Sequence, residues 1–143
     1  MKVKDIMVTR IITVPEERTV QEAANIMADY GISSLVVSNV LGSYVGIITE
    51  HDLMKKVVAK GKYPTNTQVK DTMSTTLYTI DSEASLIDAA RLMEEKSIRR
   101  LLITVKGKIQ GIITNGLLLR NIRYSMAENL INDRRSYLLR DIE

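Results

Sequence analysis

Apolar positions recur with helical spacing twice along the chain, at Val20, Ala23, Ala24 and Met27 and again at Leu86, Ala89, Ala90 and Met93. Steps of three and four residues put each set on one stripe of a helix, which must then face other apolar groups. A hydroxyl residue precedes each stripe, with a carboxylate three places later: Thr19 with Glu22, and Ser85 with Asp88. That spacing predicts a helix start, because the hydroxyl oxygen can accept a backbone N–H that the first turn leaves unbonded. Short extended stretches, Arg10–Val14 and Thr76–Ile80, lead into the helices. Two apolar strands follow each helix, Leu35–Val37 and Tyr44–Ile48 in the first case, Leu101–Thr104 and Lys108–Ile113 in the second, joined by glycine-containing turns. A second helix is predicted from about Thr49 and from about Thr114.

These are two copies of one pattern. Val3–Val37 aligns without a gap to Val69–Ile103, and 12 of the 35 pairs are identical. One residue is then dropped where "SNVLGSY" faces "TVKGKI", after which "GIITEHDL" at Gly46–Leu53 meets "GIITNGLL" at Gly111–Leu118. A unit of roughly 60 residues buries too little surface to be comfortable alone. The expected fold is therefore α+β: two repeated β-α-β-β-α motifs packed sheet against sheet as a pseudo-twofold pair, with a C-terminal helical extension. The expected bounds are 1–59 for the first motif, 60–68 for a linker, 69–124 for the second motif and 125–143 for the extension. That last segment holds Met126, Leu130, Tyr137, Leu138 and Ile142, too many apolar residues for a free tail, although Asn132-Asp133 offers a break.

Composition narrows the function classes. With 45% hydrophobic and 26% charged residues among 143, the chain reads as soluble and globular. It has no cysteine, hence no disulfide framework and no thiolate zinc site. No N-terminal apolar stretch is long enough for a signal peptide or a membrane span, so a cytoplasmic protein without membrane contact is expected. The net charge of +3 is spread among interspersed acids and bases, which favours a solvated surface over a nucleic-acid face. His51 is the only histidine. With no nucleophilic cysteine, second metal ligand or pair of catalytic carboxylates beside it, it reads as an exposed helix residue, and neither a catalytic nor a metal site is expected. Four of the seven methionines fall at matched positions of the repeat, Met7 with Met73 and Met27 with Met93, and read as core filling.

Candidate chemistry lies where the third strand of the first copy ends, at Thr49-Glu50-His51-Asp52. Backbone N–H groups left free at a helix start favour an anion. The Thr49 hydroxyl can reach a phosphate, and the Asp52 carboxylate can accept two hydrogen bonds from a ribose diol. The same two residues equally read as a capping box and nothing more. In the second copy Thr114 is kept, but Leu117 stands where the first has Asp52.

The doubled order of "VKDIM" and "VKDTM", the alanine-paired helices, "GISSLVV" and "SIRRLLI", and "GIITEHD" resembles the tandem CBS-domain family over residues 1 to about 124. The resemblance implies a regulatory module rather than an enzyme. It needs no resident cofactor and binds an adenosine-containing ligand (AMP, ADP, ATP, S-adenosylmethionine or methylthioadenosine) in clefts between the copies. A homodimer of modules is implied, perturbing itself or an unidentified protein partner. It also implies that the carboxylate of one copy works with the residues opening the second strand of the other, which pairs Asp52 with Arg99 and Arg100. Guanidiniums supply planar donor forks that suit phosphate, although neighbours on a strand point to opposite faces and both could be plain surface arginines. Tyr78 and Ile98 are candidate walls for adenine. A second, weaker site would combine Ser33, Ser34 and Thr114. The alternative reading is a nucleic-acid-binding regulator using Arg120, Arg123, Arg134, Arg135 and Arg140, against which aromatic residues for stacking are scarce and no helix-turn-helix spacing is evident.

Overall fold

A computed structural model describes residues 1–140; the side chains of residues 125, 128, 129 and 133–140 lie outside that description, as do residues 141–143 altogether. The first repeat runs β1 (Thr13–Pro15), α1 (Val20–Tyr30), β2 (Ser34–Ser38), β3 (Tyr44–Thr49) and α2 (Glu50–Asp52), and α2 continues as a π-helical stretch over Leu53–Val58. The second runs β4 (Thr79–Asp81), α3 (Leu86–Lys96), β5 (Arg100–Val105), β6 (Lys108–Thr114) and α4 (Asn115–Arg140). The fold is α+β, with one three-stranded sheet ordered β1-β2-β3 and another ordered β4-β5-β6. In each, the first strand pairs parallel to the second through the crossover helix, and the second and third form an antiparallel hairpin.

The expected helix signals operate. Thr19 Oγ1 accepts from Glu22 N at 3.2 Å and Ser85 Oγ from Asp88 N at 3.0 Å. Gly31 ends α1 in the left-handed region at φ 64°, where a residue without Cβ is unstrained. The stripes bury Val20, Ala23 and Met27 in one repeat, and Leu86, Ala89 and Met93 in the other. α4 continues unbroken through Asn132-Asp133, so residues 125–140 extend the last helix. The apolar side chains of Tyr137, Leu138 and Ile142 invoked for that segment lie outside the described residues.

The chain divides into two compact units whose limits differ from those of the repeats: Arg10–Tyr78, and Met1–Thr9 together with the chain from Thr79 onward. Each repeat's leading segment belongs to the unit of the other repeat. In the first unit Ser74 and Ile47 exchange backbone hydrogen bonds, both 2.9 Å, and Val69 is fully buried in the cluster of Val14, Leu35, Val37 and Ile48. In the second unit Val8 and Ile112 exchange theirs at 2.9 and 3.0 Å, and Val3 is fully buried. This arrangement explains the invariant glycine of the doubled "GIIT". A Cβ on Gly46 would lie 2.6 Å from the Ser74 carbonyl oxygen and 2.7 Å from Met73 Sδ, and one on Gly111 would lie 2.7 Å from Met7 Sδ.

Ion pairs hold the amino-terminal segment down. Glu83 pairs with both Lys2 and Lys4, the latter at 2.7 Å. Hydrogen bonds from Lys2 and then Lys4 pull the Glu83 carboxyl from its ordinary 4.5 down to about 2. The bond to Glu83 likewise raises the Lys4 ammonium above 10.5. The contribution of Glu83 is therefore complete above pH 4.5 and disappears as pH falls toward 2, and that of Lys4 is complete below pH 10.5 and disappears as pH rises past it. Because these groups are exposed, the effect is local. Protection of the Val3 and Lys4 amides, whose N–H groups donate to Ala84 and Ser82, measured relative to the intrinsic exchange rate at each pH, is expected to fall between pH 4.5 and 2 before that of the core amides of β5. Simultaneous loss of protection would show that the clasp does not act locally.

Candidate functional site

The two strand exits are built alike. In the first, Thr49 ends β3 opposite Ser34 on β2, and the Ser33 carbonyl accepts Glu50 N at 3.0 Å. In the second, Thr114 ends β6 opposite Arg100 on β5, and the Arg99 carbonyl accepts Asn115 N at 2.8 Å. Thr49 Oγ1 accepts from Asp52 N at 3.2 Å, and Thr114 Oγ1 accepts from Leu117 N at the same distance. The geometry is duplicated, but the charge is not.

At Thr49 the capping box is complete. Asp52 Oδ2 accepts the Thr49 N–H at 2.9 Å and the Thr49 hydroxyl at 3.1 Å. Asp52 Oδ1 pairs with Lys56 Nζ at 3.0 Å, and the same ammonium donates to the Thr72 carbonyl at 2.9 Å. Lys56 is a residue that sequence reasoning missed. Its signal is the spacing, since a lysine four places after an aspartate on a helix reaches back to it. At the second exit Leu117 and Asn121 stand in the places of Asp52 and Lys56, and the Asn121 amide donates to the Leu117 carbonyl at 2.8 Å. The π-helical turn over Leu53–Val58 also has no sequence signal that we recognise; turns of this kind are concentrated at functional sites.

Within the first unit the structure brings together Ser33, Ser34, Thr49 and Asp52; within the second it brings together Ile98, Arg99, Arg100, Thr114 and Leu117. Arg99 is exposed just before β5, while Arg100, the first residue of β5, is half-buried, as are Ile98 and Tyr78. His51 is exposed on α2. Arg120 and Arg123 are exposed on α4, and the side chains of Arg134, Arg135 and Arg140 lie outside the described residues. Among the described residues no group of His, Cys, Asp and Glu could hold a metal ion, and no helix is long and apolar enough to cross a membrane. A groove lined by Met7, Thr9, Val105, Lys106, Lys108 and Gln110 contains none of the candidate residues.

Two β-α-β-β-α repeats with matching strand exits define a class of tandem-repeat α+β modules, and comparison gives the class its family. The CBS-domain family model matches residues 3–59 and 69–124, and the chain belongs to that family, whose domain pairs are in general regulatory, ligand-binding modules. The CBS domain-containing protein YhcV of Bacillus subtilis is 35% identical over 114 residues, 80% of each chain. An uncharacterised protein of Methanopyrus kandleri is 39% identical over 105 residues, 73% of this chain. That alignment spans only 54% of the M. kandleri protein, so the chain covers about half the length of this relative. A conserved protein of Pyrococcus horikoshii of known structure is 34% identical, with a TM-score of 0.79 over 85% of this chain and 92% of that one. A hexameric CBS-CP12 protein from bloom-forming cyanobacteria is 26% identical, with a TM-score of 0.74 over 83% of this chain and 69% of that one.

Proposed function

We propose that the chain is a sensor for an adenosine-containing ligand (AMP, ADP, ATP, S-adenosylmethionine or methylthioadenosine) and that occupancy changes the state of a protein partner or of its own homodimer. The observation that carries this reading is the unequal chemistry of two equal strand exits. Thr114 Oγ1 accepts the Leu117 N–H just as Thr49 Oγ1 accepts the Asp52 N–H, both at 3.2 Å. The hydroxyl half of the cap therefore forms without a carboxylate, and the Asp52 carboxylate, beyond its bonds to Thr49 and Lys56, is the acceptor in this reading for a ribose diol. In this reading the phosphate goes to the Thr49 hydroxyl and to the guanidiniums of Arg99 and Arg100, with Tyr78 and Ile98 flanking the adenine. Ser33, Ser34 and Thr114 form the weaker second site, which lacks a ribose acceptor. Assembly is supported by the exposed Leu119, Met126, Leu130 and Ile131 on α4 and by the hexameric relative.

A thermal-shift panel with these five compounds and GTP tests the reading, since a ligand at ~100 times its dissociation constant adds about 2.7 kcal/mol. Calorimetric titration with the best compound is expected to give one site per chain. Arg100→Ala is expected to weaken phosphorylated ligands more than methylthioadenosine. Two equivalent sites, or no shift with any adenosine compound, would count against the assignment.

A further inference from the structure

Asp52 is already heavily engaged. A carboxylate offers about four lone-pair positions, and three are taken: by the Thr49 N–H, the Thr49 hydroxyl and the Lys56 ammonium. A ribose diol brings two donors, so one present partner has to leave. The Thr49 N–H is fixed by the backbone of the cap. The Thr49 hydroxyl has no second acceptor among its recorded bonds, and a nucleoside without phosphate brings it none. Lys56 is different: its ammonium also bonds the Thr72 carbonyl, and its side chain is 44% exposed against 13% for Asp52. On release it keeps one protein partner and gains water, so its departure costs least. The two charges also occur together. Where the second repeat has Leu117 in place of the carboxylate, it has Asn121 in place of the lysine.

We infer that Lys56 is a specificity-determining residue of this site, a built-in competitor that holds Asp52 Oδ1 in the free protein and yields it to a ligand diol. The inference rests on the adenosine reading above. Affinity is thereby set below what Asp52 alone would provide, and only a ligand with two adjacent hydroxyls recovers the displaced ion pair in full.

The test uses the full chain and two neutral probes, adenosine and 2′-deoxyadenosine, so that loss of the lysine charge does not act on a phosphate. Exposed ion pairs are worth up to about 1 kcal/mol, so Lys56→Gln is expected to bind adenosine about two- to fivefold more tightly. 2′-Deoxyadenosine should show little of that gain, and Lys56→Arg, which keeps the pair, should stay near the wild type. Raising salt from about 50 to about 500 mM should tighten adenosine binding to the wild type by screening the internal pair and leave Lys56→Gln unchanged. The salt series on the wild type decides the matter even if a variant fails to fold. Unchanged or weaker adenosine binding by Lys56→Gln, or salt-independent binding by the wild type, while Asp52→Ala still weakens it, overturns the competitor and leaves the adenosine reading standing. If wild-type protein does not bind adenosine, or Asp52→Ala binds it equally well, both fall.

Discussion

Asp52→Ala is expected to lower affinity for an adenosine nucleotide about tenfold to hundredfold, because hydrogen bonds to a charged group contribute ~1.5 to 3 kcal/mol. Titration calorimetry measures the loss directly. The substitution also removes the acceptor of the Thr49 N–H and the partner of Lys56, so the free protein should melt earlier, by about the 0.5 to 1.5 kcal/mol that one hydrogen bond contributes. Asp52→Asn separates the two effects. Its amide oxygen can still accept the Thr49 N–H, which preserves the cap, but it lacks the charge and has only one oxygen for a diol. Asn at this position should therefore melt close to the wild type and bind nearly as poorly as Ala. An Asn variant that binds like the wild type would show that the carboxylate serves the helix alone.

Gly46→Ala is expected to destabilise the protein by about 1 to 3 kcal/mol, the usual cost of forcing extra atoms into a packed position. The two nearest obstacles differ in kind. Met73 Sδ ends a flexible side chain, whereas the Ser74 carbonyl is held at 2.9 Å by Ile47 N. Met73→Ala in the Gly46→Ala background should consequently recover only part of the loss. At Gly111 the nearest obstacle is instead a methionine sulfur, Met7 Sδ at 2.7 Å, and the nearest backbone oxygen, that of Val8, is 3.1 Å away. Met7→Ala should rescue Gly111→Ala more completely. Urea unfolding with an unchanged slope reports both series, and equal rescue at the two positions would contradict the contact geometry.

The helices and hairpins were legible because their signals are local. Thr19 with Glu22, Ser85 with Asp88 and the alanine stripes specify α1 and α3 from a few neighbouring residues, and the doubled pattern checks each assignment against its copy. The strands β1 and β4 lie later than the extended stretches suggested, Thr13–Pro15 and Thr79–Asp81, because pairing partners rather than intrinsic preference choose which extended residues join a sheet. Gly46 and Gly111 stood out by identity alone; their reason, a methionine from another part of the chain, is a long-range contact that no local pattern encodes. At the site, Thr49 and Asp52 were legible as a cap from their spacing. The second hydrogen bond of Lys56, to Thr72, depends on where the 69–74 segment packs and was therefore invisible before the fold was known.

The crossed placement of the leading segments has a consequence for heredity as well as for packing. A gene coding only for residues 1–59 would produce a chain that carries Met7 and Val8, which belong against β6, and lacks Met73 and Ser74, which belong against β3. Neither half is self-sufficient, so once the duplication had settled into this reciprocal arrangement, loss of one copy could not simply return the protein to an ancestral single unit.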